Sequence, residues 1–140
     1  MRSEQDLIDE LRSKGHRITV ARRSVLRALF RNGSPIAAGG VHDAVAKMGT
    51  APNKTTVYRE LEFLEKAGFV RSMQFEERQK RYELTADDHR HHLICTGCKR
   101  VEDAVIQDDL SHVEKHLNIQ KSFKVQRHSL EFYGLCKECQ

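Results

Sequence analysis

The sequence predicts an α+β protein, with a winged helix-turn-helix unit at residues 1–84 and a smaller α/β unit at 89–140. Three observations predict it. Segments with a helical apolar period are followed by two short alternating runs around a polar turn, all before residue 85. All four Cys and six of the eight His lie beyond that point. The charge divides there too: residues 1–84 carry 16 basic and 11 acidic side chains, whereas 85–140 carry 8 and 9.

The elements follow in order. Ser3 is placed to cap a first helix with Leu7, Ile8 and Leu11 inward, ended by Gly15. Thr19 caps a second, with Val25, Leu26, Leu29 and Phe30 expected inward and Asn32-Gly33 as its stop. Val41, Ala44, Val45 and Met48 mark a third, although Gly39-Gly40 at its start costs about 1 kcal/mol per Gly relative to Ala. Asn53 caps the clearest helix, in which Val57, Leu61 and Leu64 form one stripe before Ala67-Gly68. A strand from Phe69 through Phe75, a turn at Glu76-Glu77-Arg78-Gln79 and a strand from Lys80 to Leu84 complete the wing. Residues 85–88 read as a hinge. Beyond it, His91 to Cys95 and Arg100 to Val105 are expected as strands. A helix should begin at Asp108 or Asp109 and run to about Leu117, and Phe123 to Tyr133 alternates as a longer strand.

No stretch approaches the ~20 apolar residues of a membrane span. The opening MRSEQDLIDE has no apolar signal-peptide core, so a cytoplasmic location is expected, with no membrane partner. Thiols stay reduced there, which favours metal ligation over disulfides. A basic first part suits a polyanion. In the clearest helix, burying Val57, Leu61 and Leu64 leaves Thr55, Thr56, Tyr58 and Arg59 to face outward from its first turns, where recognition helices meet base edges. Arg17, Thr19, Arg22 and Arg23 cluster at the start of the second helix and are candidates to grip phosphates.

The second part carries metal-ligand spacing. Cys95-Thr96-Gly97-Cys98 and Cys136-Lys137-Glu138-Cys139 are two C-x-x-C knuckles that together complete a tetrahedral zinc site. The 37 residues between them leave room for a strand-helix-strand unit. In the run His89-Arg90-His91-His92, strand geometry sends His89 and His91 to one face and His92 to the other. His128 follows on a later strand and Glu83 precedes the run. Imidazole and carboxylate donors suit several divalent metals. His112 and His116, at i and i+4, read as surface residues of one helix face.

Taken together, Arg17-Ile18-Thr19…Arg22, Thr56-Val57-Tyr58-Arg59…Leu61, Tyr82-Glu83-Leu84, His91-His92-Leu93-Ile94-Cys95-x-x-Cys98 and His128-Ser129-Leu130-x-x-Tyr133-Gly134-x-Cys136-x-x-Cys139 resemble the ferric uptake regulator family over nearly the whole chain. The resemblance implies a homodimeric repressor of metal-homeostasis genes that binds a palindromic duplex when a regulatory metal is loaded. The second unit would then be a dimerisation domain. The resemblance also implies a structural Zn2+ on Cys95, Cys98, Cys136 and Cys139, and DNA contact through the helix bearing Tyr58 and Arg59. A regulatory site at the domain boundary would use His89, His91 and His128 with a fourth ligand from the C-terminal helix. That ligand is usually acidic in the family; by position His112 is placed ahead of Asp108. A sensory site would draw on Glu83, His92 and Asp103. It departs from the pattern, because Arg90 stands where many members have a His ligand and Pro35 where another often lies. A guanidinium stays charged and does not ligate metal. The boundary site is therefore expected to dominate, with Fe2+ or Zn2+ as the second metal. Peroxide-, manganese- and nickel-responsive members are the alternatives. A metal-dependent hydrolase is disfavoured because no H-E-x-x-H or other catalytic motif appears, and a metal buffer because of the organised basic half. The protein is not expected to be an enzyme.

Overall fold

The computed structural model describes residues 2–50, 52–76, 78–85 and 91–140. The chain divides into two compact units, Met1–Thr85 and Ala86–Gln140.

The first unit runs α1 (Glu4–Ser13), α2 (Val20–Asn32), β1 (Ile36–Ala37), α3 (Ala38–Lys47), α4 (Lys54–Lys66), β2 (Val70–Gln74) and β3 (Lys80–Leu84). Side-chain caps start three of its helices. Ser3 and Asp6 form a reciprocal capping box on α1, Thr19 Oγ1 accepts from Arg22 N on α2, and Asn53 Oδ1 accepts from Thr56 N on α4. Gly33 ends α2 in the left-handed region at φ 70°, where its N–H donates to Leu29 O and a side chain would be strained. Leu7, Ile8, Leu11, Val25, Leu26, Leu29, Val41, Val45, Val57, Leu61 and Leu64 form the core, closed by Phe69, Val70 and Tyr82 of the hairpin. The sheet has the order β1-β3-β2, all antiparallel.

Three details differ from the sequence pattern. Phe30, expected inward, is exposed, because Leu26 and Leu29 already fill the buried stripe of α2. The two-residue β1 was not foreseen, being too short to show a period. The Gly39-Gly40 pair does not delay α3: a Cβ on Gly40 would lie 2.8 Å from Ile36 Cγ1, so its absence lets the helix close onto β1.

The second unit runs β4 (His91–Cys95), β5 (Val101–Ala104), α5 (Ser111–Lys121) and β6 (Glu131–Gly134). Its sheet has the order β5-β4-β6, with β4 antiparallel to β5 and parallel to β6. The helix starts later than expected because Asp108 and Asp109 accept from Leu110 N and Ser111 N in side-chain turns ahead of it. The long strand expected from Phe123 shrinks to β6. Phe123 N and Val125 N instead donate to Asn118, which diverts that segment onto the end of α5. Among the described residues of this unit, the buried apolar side chains are Ile94, Cys95 and Val101. A core that small needs a further staple.

Candidate metal centres and nucleic-acid surface

The two knuckles converge. Cys95 ends β4, Cys98 follows in the turn, and the parallel register Cys95↔Gly134 delivers Cys136 and Cys139 to the same end of the sheet. All four sulfurs lie within 4.8 Å of one another, and Cys98 Sγ is 3.8 Å from Cys136 Sγ. A tetrahedral ion with Zn–S near ~2.3 Å has its sulfurs about 3.8 Å apart, so the arrangement fits zinc. The protonation chemistry agrees. Amide donors from Cys136 and Cys98 aimed at Cys95 Sγ lower that thiol to about 6, whereas burial pushes the Cys136 thiol up to about 12. Burial thus opposes ionisation of Cys136, and gathering four thiolates in one place requires a cation. Gly97 makes room for the second knuckle: a Cβ there would sit 2.9 Å from Cys139 Sγ.

A second grouping lies within the same unit. The rings of His91 and His128 stack with centroids 5.6 Å apart, and His91 is buried. His128 Nδ1 is 2.7 Å from Glu114 Oε1, a side chain of α5. His112 is exposed and sits beside Asp108 at 3.4 Å. Among the described residues, His91 and His128 do not gather with either His112 or Glu114 into a cluster whose ligand atoms all lie within 4.8 Å of one another. His89 and Arg90 lie outside the described residues, as do 86–88 of the expected hinge. The sequence pattern did not single out Glu114. Its signal was available, since Glu114 is the one acidic residue of α5.

The remaining expected ligands are divided between the units. In the second, His92 is buried, opposite Asp103 in the β4–β5 register, with Nε2 3.8 Å from Asp103 Oδ1. In the first, Glu83 is buried on β3 and accepts from Arg71 Nε at 2.6 Å, its neighbour across β2.

On the first unit, Lys54, Thr55, Tyr58 and Arg59 form an exposed stripe on the first turns of α4. Thr56 turns its hydroxyl to Asn53 Oδ1, so it serves the cap. Arg17 and Thr19 are exposed. Arg22 is engaged inside the unit. Its Nε donates to Glu60 Oε2 at 2.8 Å, its Nη1 donates to Arg17 O at 2.6 Å, and its guanidinium lies 3.6 Å from the Phe63 ring centroid. These contacts hold α4 against α2. Among the described residues, no helix is long and apolar enough to cross a membrane.

The fold and the sites define a class: a winged-helix unit whose fourth helix opens on an exposed polar and basic stripe, joined to a small unit built around a cysteine cluster. Comparison with known proteins agrees. The pattern of the ferric uptake regulator family matches residues 13–133. The chain is 33% identical over 132 residues to the ferric uptake regulation protein of Legionella pneumophila, covering 94% of this chain and 96% of that one. It is 29% identical over 138 residues to the peroxide-responsive repressor PerR of Staphylococcus saprophyticus, covering 97% and 90%. The crystal structure of the Vibrio cholerae ferric uptake regulator superposes with a TM-score of 0.79 at 27% identity, covering 94% of this chain and 100% of that one. This chain belongs to the ferric uptake regulator family. It is therefore a metal-dependent transcriptional regulator and not an enzyme.

Proposed function

We propose that the protein is a homodimeric repressor of metal-homeostasis genes, acting on a palindromic duplex and switched by Fe2+ or Zn2+ at a site formed by His91, His128 and Glu114, with His89 as the sequence assigns it. The observation that carries this reading is the contact of His128 Nδ1 with Glu114 Oε1, 2.7 Å apart, made by a ring that also stacks with His91. Two imidazoles and a carboxylate are a donor set for a divalent ion of intermediate softness. A bound ion would supply a fixed positive charge that ties α5 to β4. Glu114 takes the role that position had given to His112. The residues 1–84 would act as the DNA-binding domain, 85–88 as a hinge, and 89–140 as the dimerisation domain. Arg17, Thr19, Thr55, Tyr58 and Arg59 would meet DNA, with Arg22 and Thr56 shaping the surface from within. Glu83, His92 and Asp103 would be secondary ligands. The Arg71–Glu83 pair supports that ranking, because a metal would have to compete with a guanidinium for the carboxylate. Dimerisation is supported by α5, which buries no residue in the single chain although it presents Val113 and Leu117.

The test is DNA-binding anisotropy on a palindromic duplex selected from a random pool, titrated with Fe2+ under argon, Zn2+ or Mn2+. His128→Ala and Glu114→Ala should lose the metal response, His112→Ala should keep it, and His92→Ala should weaken it. Loss in His92→Ala with full response in His128→Ala would reverse the assignment. A response to Mn2+ alone would remove iron and zinc as effectors.

A further inference from the structure

An ion pair joins the two cysteine knuckles from outside the sulfur cluster. Arg100 lies two residues beyond Cys98, where β5 begins, and Glu138 lies inside the second knuckle. Their side chains meet at 3.2 Å from Nη1 to Oε2. Glu102 approaches the same Nη1 at 3.7 Å. Arg100 also lines a cleft with Cys95 and Cys136. The pair is half exposed on the Arg side and more so on the Glu side, so it adds little to stability. Its electrical setting is less ordinary. Four thiolates around a divalent ion leave two net negative charges, and Glu102 and Glu138 add two more. Arg100 is the cation that pairs with both carboxylates.

We propose that Arg100 is a positioning residue for the zinc–thiolate cluster: held over it by Glu138, it withdraws negative charge from the sulfurs and slows their attack on electrophiles, hydroperoxides above all. The inference rests on zinc being bound by the four cysteines. The chemistry it restrains is the loss of zinc by oxidation. A thiolate sulfur attacks one oxygen of a hydroperoxide; the O–O bond breaks, an S–OH forms, and hydroxide or alkoxide leaves. The sulfur gives up two electrons and the peroxide is reduced. A neighbouring thiolate then displaces hydroxide from that sulfur to close a disulfide, and the ion departs with two ligands gone. The first step depends on the electron density at sulfur. A fixed cation nearby lowers that density without occupying a coordination position.

The experiment follows zinc transfer from the full-length, zinc-loaded protein to a chromogenic chelator under excess hydrogen peroxide. Zinc content is measured first in every variant. Arg100→Gln should release zinc about tenfold faster than wild type, at the lower end of what loss of an outer partner does to a metal site. Arg100→Lys should recover most of the protection. Lys137→Ala removes one positive charge from the same knuckle without touching the pair, and should stay close to wild type. The acceleration in Arg100→Gln should shrink in high salt, which a packing defect would not show. Equal rates in Arg100→Gln and wild type would overturn the proposal, as would equal acceleration in Lys137→Ala or no recovery in Arg100→Lys. Less than one zinc per chain in the wild type would overturn the four-cysteine assignment itself, and this inference with it.

Discussion

Replacing Arg22 by alanine tests whether this residue belongs to the DNA surface or to the scaffold beneath it. The Arg22 and Glu60 side chains keep only 14% and 15% of their surface exposed. Removing the guanidinium leaves the Glu60 carboxylate largely desolvated, frees Arg17 O and uncovers the face of Phe63. Breaking a buried ion pair from one side costs about 3–5 kcal/mol, and the residual exposure puts this one near 3. For a unit of this size each kcal/mol lowers Tm by about 4–8 °C, so a drop on the order of 10 °C or more is expected. Glu60→Gln should produce a loss of similar size, and the double variant should cost clearly less than the two singles combined. The assay is thermal unfolding by circular dichroism, paired with DNA affinity measured across salt concentrations well below Tm. A scaffold residue leaves the slope of log K against log salt unchanged, whereas a phosphate contact reduces it by about 1. An unchanged Tm together with a reduced slope would refute the reasoning and return Arg22 to the DNA interface.

Two further predictions concern the second unit. Gly97→Ala forces a methyl against Cys139 Sγ; overpacking of that kind costs about 1–3 kcal/mol, so zinc affinity measured by chelator competition should fall by about fivefold to about 150-fold. In the zinc-free protein the Cys95 thiol titrates near 6 when folded rather than near its usual 9. A depressed acid stabilises the fold fully above its unfolded value and loses that contribution as pH falls through the folded one. Urea midpoints of the zinc-free second unit should therefore decline as pH drops from about 9 towards 6, and Cys95→Ser should flatten that decline.

Much of this architecture was legible because local chemistry and tertiary demand agree. Asn53 and the stripe of Val57, Leu61 and Leu64 specify α4 unaided, and the strand Lys80 to Leu84 appears with the bounds its alternation indicates. The knuckle cysteines carry their purpose in their spacing. What stayed hidden depends on side chains choosing among partners. Nothing in the run from Phe123 shows that its amides will bond to Asn118 instead of a strand. Arg22 reads as one more basic residue until Glu60, 38 positions away, is placed beside it. Glu114 and His112 lie on the same helix two residues apart, and helical phase decides which one meets His128. Position in a pattern cannot resolve that phase once the helix start has shifted.

The parallel pairing of β4 with β6 also has a kinetic meaning. The helices and the β2–β3 hairpin of the first unit close over short stretches of chain and form within microseconds. In the second, β4 and β5 can zip locally, but β6 must return across the whole α5 connection before Cys95 faces Gly134. Cys98 and Cys136 are 38 positions apart, and clipping a loop of that length removes about 4 kcal/mol of chain entropy in the loop-closure picture. Refolding should accordingly split into a fast phase that ignores zinc and a slow phase whose rate rises with zinc concentration. The slow phase sets when a newly folded chain can first respond to its effector.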